Sequence, residues 1–240
     1  MKKHIFLYLI IYSCLIMSGS LQAQERFTER YNVSYITMDD GLPHNFIDDI
    51  YKDTRGFLWI STAGGGLSRY DGYEFIHFNP NTFHCKLKSN FIRNVYEDTF
   101  QRLWVVSEGG TDIIDLSTLQ PIVPNDPKGL LAELIKQPAY SVMRDSQDCI
   151  WLQCDNALHR ITFDAKGSVE TLSSLELPAL HEPDLILKDI DEDGKIWTGI
   201  NGTIYKISPP PRGKVRKSLL IRTPDLLAGT LLQRHAGKGK

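Results

Sequence analysis

The stretch that decides the fold is Asp53-Thr54-Arg55-Gly56-Phe57-Leu58-Trp59-Ile60-Ser61. Its first half is turn chemistry: an aspartate bonds its own backbone two residues on, and a glycine supplies positive φ. Its second half is a short apolar strand. The pattern returns three times, because Trp104, Trp151 and Trp197 follow Trp59 at spacings of 45, 47 and 46 residues. Six residues before each tryptophan stands an aspartate, Asp53, Asp98, Asp145 and Asp191, and directly before each a branched aliphatic, Leu58, Leu103, Ile150 and Ile196. Gly56 and Gly194 share one offset, and the first two units also share Asn45-Phe46-Ile47 and Asn90-Phe91-Ile92. Coincidences kept in register across four units mark an internal repeat.

Reading outward from that core, each unit is a small antiparallel meander. Ile50-Tyr51-Lys52 and Val95-Tyr96-Glu97 end a first strand, and Phe57–Ser61 or Lys195–Thr198 is the second. Turns at Ala63-Gly64-Gly65-Gly66 and Asn201-Gly202 lead to third strands Leu67–Tyr70 and Thr203–Ile207. A hairpin at Asp71-Gly72 leads to Tyr73–Phe78. Four short strands in a period near 46 residues match a propeller blade. Helical repeats of that length would instead place apolar residues at i, i+3, i+4 and i+7. The fold class expected is therefore all-β, a β-propeller with about four blades of four antiparallel strands. The repeated Asp and Trp residues are expected to be structural, each Trp packing between neighbouring blades.

The flanks divide the chain further. Lys2 and Lys3 precede an apolar run from Ile5 to Met17, and small and polar residues follow to Ala23. This reads as an export signal over residues 1–23, too short to span a bilayer. The blades are expected over 24–208, as units near 41–86, 87–130, 131–178 and 179–208. Residues 209–240 carry eight Lys or Arg against the single acid Asp225. Two readings of that tail stand: sequence outside the propeller pattern after a premature stop, or a solvated basic extension with a short helix from Thr223 to Arg234. A net charge of −2 excludes an electrostatic nucleic-acid binder. Beyond the signal the cysteines are Cys85, Cys149 and Cys154, with no metal or redox spacing. Cys149 and Cys154 lie about 16 Å apart along one strand, so free thiols are expected.

No catalytic set emerges. Asp189-Ile190-Asp191-Glu192-Asp193-Gly194 opens like a calcium loop, but Ile200 stands where the twelfth ligand is needed. A blade turn explains the same aspartate and glycine, so neither a metal nor a cofactor is expected. The Gly64-Gly65-Gly66 run lacks a phosphate-binding lysine and a following helix. Histidines 44, 77, 84, 159, 181 and 235 form no metal-ligand spacing.

Met38-Asp39-Asp40-Gly41-Leu42-Pro43-His44-Asn45, then Ile50–Asp53, Gly56–Thr62 and Gly66–Gly72, resembles the two-component regulator propeller repeat. The likeness is strong in the first unit and eroded in the third, where Gln147-Asp148 and Cys154-Asp155-Asn156 replace the glycines. The resemblance implies the periplasmic sensor region of a hybrid two-component system, responsive to glycans. It also implies a larger, seven-bladed ring, of which this chain would be a truncated portion, and a homodimer if the chain is part of a sensor. Relatives carry kinase, receiver and DNA-binding parts, and none of their motifs is present in these residues. Tyr70, Tyr73 and Tyr205 are candidates for stacking on an oligosaccharide. The competing class is a secreted propeller hydrolase or lyase acting on polysaccharide.

Overall fold

The computed structural model describes residues 33–154, 157–176, 186–190, 195–200, 203–207 and 221–222. The expected export signal, Asp191 with the rest of its turn, and most of the basic tail lie outside them. The blades fall within Ile36–Lys240. Thr37 caps a short 3-10 turn, Met38–Asp40, through a capping box with Asp40, and Gly41 at φ 102° ends it.

Four four-stranded antiparallel sheets follow, each in simple chain order. The first holds β1 (Ile47–Lys52), β2 (Leu58–Thr62), β3 (Gly66–Tyr70) and β4 (Phe75–Phe78). The second holds β5 (Ile92–Glu97), β6 (Arg102–Ser107), β7 (Gly110–Asp115) and the two-residue β8 (Gln120–Pro121). The third holds β9 (Ala139–Arg144), β10 (Ile150–Cys154), β11 (Ala157–Phe163) and β12 (Val169–Glu176). The fourth holds β13 (Ile186–Ile190), β14 (Ile196–Ile200), β15 (Thr203–Ile207) and β16 (Ile221–Arg222). These are propeller blades, as the repeat requires. The first strands β1, β5, β9 and β13 contact one another in succession, so the blades converge along them.

Trp59 and Trp104 each seal one blade against the next. Trp59 is fully buried in a cluster with Val95, Leu103 and Ile114 of the second blade. Trp104 is fully buried with Val142, Ile150 and Leu152 of the third. A large aromatic between two β-branched faces removes the most apolar area from water per residue, hence its return once per blade. Blade contacts are also clipped by hydrogen bonds. Asp49 Oδ2 accepts from Asn94 Nδ2 (2.9 Å) and Val95 N (3.1 Å), and Asn94 Oδ1 accepts from Val142 N (2.7 Å). Asp49 and Asn94 sit at matching β-bulges.

Two findings differ from the sequence expectation. First, β16 pairs with β15, so a fourth strand forms inside the stretch assigned to a tail beyond residue 208. Two residues carry too little pattern for a strand to be read. Second, a helix α1 (Leu130–Leu134) lies in the connector to the third blade and buries Leu131 and Leu134 in the core. At five residues it is shorter than two turns, so it leaves no periodicity. The eroded third unit is nonetheless a full blade with long outer strands. Its turn needs one residue at positive φ, and Asp148 adopts 60° where the first blade has Gly56 at 94°. Asp and Asn tolerate that region better than most side chains.

Candidate functional site

At the end of the first three blades that carries the β1–β2 type of turn, polar groups are consumed by the fold. Asp53 Oδ1 accepts from Arg55 N (3.0 Å) and Phe57 N (2.9 Å), while Oδ2 accepts from Trp59 Nε1 (2.9 Å). Asp98 repeats this with Phe100 N, Arg102 N and Trp104 Nε1, and Asp145 with Gln147 N, Cys149 N and Trp151 Nε1. The Asp-x5-Trp spacing thus has a cause the repeat alone does not reveal: one carboxylate closes the turn and neutralises the buried indole N–H. Trp197 is half-buried, and its partner position, Asp191, lies outside the described residues.

Arginines reinforce this end. Arg102 is buried, donates to Asp98 Oδ2 (2.6 Å) and Gly167 O (2.7 Å), and lies between the Phe100 and Phe163 rings. Arg160 donates to Gln147 Oε1 (2.6 Å) and Asp145 Oδ2 (3.4 Å) above Trp151. Asp71, Asp115 and Asp164 close the other turns at this end. Their carboxyls are held below the usual range mainly by hydrogen bonds, from Glu74 N, Ser117 Oγ and Ser168 N respectively. A cleft of about 460 Å³ opens here between Phe100, Phe163, Asp148 and Cys149. Burial pushes the Cys149 thiol up to about 11, which removes it as a nucleophile near neutrality.

The starts of the inner strands are different. Eleven residues before their tryptophans stand Asp48, Arg93 and Tyr140, one on each of β1, β5 and β9. Asp48 and Arg93 are exposed, and the Arg93 guanidinium lies 5.0 Å from the centre of the half-buried Tyr140 ring. Burial raises the Asp48 carboxyl, the Arg93 charge lowers it, Asp49 raises it again, and the balance stands above the usual value. Phe46 and Phe91, two residues earlier and directly before their strands, are also exposed. This row offers a cation, an anion and aromatic faces to solvent on adjoining strands. The repeat signal misses it because residue identity changes from blade to blade. The clue in the sequence is a position constant in register and variable in chemistry.

The remaining candidates are structural or fall elsewhere. Tyr70 stacks on Phe75 at 4.5 Å and donates to Gly72 O (2.7 Å), whereas Tyr73 is 92% exposed at the hairpin tip. The Tyr205 side chain, His181 and His235 lie outside what is described. Ser68 Oγ meets His77 Nδ1 at 2.9 Å, and His159 Nδ1 meets Ser174 Oγ at 2.8 Å. Both are directly opposed cross-strand pairs, and Ser68 is fully buried, so they brace the outer strands. Cys85, Cys149 and Cys154 are buried free thiols. Among the described residues no cluster of His, Cys, Asp or Glu is suited to a metal, and no helix is long and apolar enough to cross a membrane.

Residues 41–64, from Gly41 through β1 and β2 to Gly64, match the family model described as two component regulator propeller. The first blade carries a two-component regulator propeller repeat. Solved structures share the propeller fold. The extracellular domain of the one component system BT4673 from B. thetaiotaomicron is 23% identical with a TM-score of 0.55, over 80% of this chain and 27% of its own. The extracellular domain of the hybrid two component system BT3049 from the same organism is 19% identical with a TM-score of 0.52, over 73% of this chain and 30% of its own. A streptogramin B lyase is 14% identical with a TM-score of 0.50, over 77% of this chain and 56% of its own. This propeller chain thus spans less than a third of those two extracellular domains. No curated protein matches it in sequence.

Proposed function

We propose that these blades are the ligand-sensing propeller of an extracytoplasmic two-component regulator, recognising an oligosaccharide at the inner-strand row Asp48, Arg93 and Tyr140. The observation that carries the reading is the exposed Arg93 guanidinium over the half-buried Tyr140 ring, with the exposed Asp48 one blade before. A sugar ring presents an apolar face, which an aromatic covers, and a rim of hydroxyls, which a guanidinium and a carboxylate bond in opposite senses. The opposite end of the blades has its Asp, Trp and Arg groups committed to internal bonds, which supports placing recognition at the inner-strand starts. The repeat in residues 41–64 and the likeness to two extracellular sensor folds support the signalling role. The short share of those domains spanned here supports reading the chain as the propeller part of a longer sensor. Residues 1–23 act as its export signal, directing the blades to the periplasm.

Isothermal titration of purified residues 24–240 against a panel of neutral and acidic oligosaccharides tests this. One or more glycans bind, and R93A and D48A weaken that glycan at least tenfold with the melting temperature unchanged. Equal affinity in both variants, or no binding across the panel, overturns the site. Chain cleavage of a bound glycan overturns the sensor in favour of a propeller hydrolase or lyase.

A further inference from the structure

Arg102 and Arg160 are spent on acceptors in the second and third blades, and the first blade departs from that pattern. Four residues before their tryptophans stand Arg55, Phe100 and Gln147. Directly opposite those tryptophans, on the third strands, stand Arg69, Ile113 and Arg160. In the third blade this sets a cation against an acceptor, because Arg160 donates to Gln147 Oε1 at 2.6 Å. In the first blade it sets a cation against a cation. The Arg69 guanidinium lies 4.3 Å from the centre of the Phe57 ring, and that of the exposed Arg55 lies 5.5 Å from the same centre.

Arg55 donates through Nη2 to Leu116 O, which places the pair where the first blade meets the second. Arg69 is half-buried and meets no hydrogen-bond acceptor and no carboxylate within ion-pair range among the described residues. The nearby acids are engaged elsewhere. Asp53 gives both oxygens to Arg55 N, Phe57 N and Trp59 Nε1, and Asp71 Oδ1 accepts from Tyr73 N (2.7 Å) and Glu74 N (2.8 Å). Burial and then the Arg55 charge lower the Arg69 pKa, and the charges of Asp53 and Asp71 offset this only in part.

We propose that Arg55 and Arg69 bind a tetrahedral oxyanion, a sulfate or phosphate group, beside the Phe57 ring. Cation–π contact with that ring holds both side chains without using a donor. One guanidinium fork fills the two oxygens of a carboxylate, whereas a tetrahedral oxyanion has oxygens left for a second cation. The site is independent of the sensor reading and of the Asp48, Arg93 and Tyr140 row.

Isothermal titration of residues 24–240 with sodium sulfate and with sodium phosphate, at pH 7 and constant ionic strength in chloride, tests it. One sulfate or phosphate binds per chain. R55Q, at an exposed side chain, and R69K, which keeps a charge over Phe57 but loses the fork, each weaken that ion at least tenfold with an unchanged far-ultraviolet circular dichroism spectrum. R93A leaves it unchanged, which separates this site from the glycan row. Glucose 6-sulfate and glucose 6-phosphate then distinguish the source: an ester that binds more tightly than the free ion makes a modified sugar the ligand, and one that binds no more tightly makes it the free ion. The proposal is overturned if neither ion binds, if R55Q or R69K leaves the affinity unaltered, if R93A abolishes it, or if acetate binds as tightly as sulfate.

Discussion

Removing the Asp98 carboxylate tests whether the repeat is a hydrogen-bond module or only a spacing. Asp98 accepts four bonds: Phe100 N at 2.9 Å, Arg102 N at 3.1 Å, Trp104 Nε1 at 2.9 Å and Arg102 Nε at 2.6 Å. Both side chains of the ion pair are nearly buried, at 1% and 7% exposure. In D98A the indole N–H and two amides lose their acceptor, at about 1 kcal/mol or more for each that water cannot reach. The stranded guanidinium adds about 3–5 kcal/mol, the usual result of breaking a buried pair from one side. D98A is therefore expected to cost about 5 kcal/mol in urea unfolding. D53A, whose aspartate serves the same turn and indole with no arginine pair, is expected to cost about 2–3 kcal/mol. Adding R102M to D98A removes the orphaned charge and should recover about 2 kcal/mol. If D98A and D53A cost the same, or if R102M makes D98A worse, the arginine is not held by Asp98 as argued.

Three further outcomes follow from the same turns and the buried thiols. Gln101 at φ 57° and Asp148 at φ 60° occupy the position of Gly56, so Q101G and D148G should each raise stability by up to about 1 kcal/mol, and G56A, with open space for its methyl, should lower it by about 1 kcal/mol, all read by urea midpoint. Asp71, Asp115 and Asp164 have folded carboxyls below their unfolded value; their stabilisation is complete above the usual carboxylate range and is lost as pH falls through the lowered folded values, so melting temperature should drop on acidification below about pH 4, less steeply in the triple Asn variant. Burial pushes the Cys85 and Cys149 thiols up to about 11, so at pH 8 native residues 24–240 should resist iodoacetamide while the urea-unfolded chain alkylates at Cys85, Cys149 and Cys154, as counted by mass spectrometry.

Much of the fold was legible because its rules act over short distances. A turn needs Asp and a residue tolerant of positive φ a few positions apart, and a blade needs a large aromatic at one fixed offset. Asp53, Gly56 and Trp59 therefore announce themselves, and three more copies in register confirm the reading. Elements too short to carry a period, α1 and β16, stayed hidden. So did the chemistry linking Asp to Trp, since a spacing of six identifies neither the donor nor the acceptor.

The candidate site was the less legible part. Asp48, Arg93 and Tyr140 are separated by 45 and 47 residues and differ in charge and shape, so no local pattern joins them. They become neighbours only because Trp59 and Trp104 pull successive blades together and the Asp49–Asn94 clips align their inner strands. From the sequence alone came the all-β repeat, its four units, the turn residues and the free thiols, each a consequence of local backbone geometry or periodic burial. Only tertiary packing decided which polar groups are spent inside the fold and which face solvent together, because the partners come from separate strands and blades.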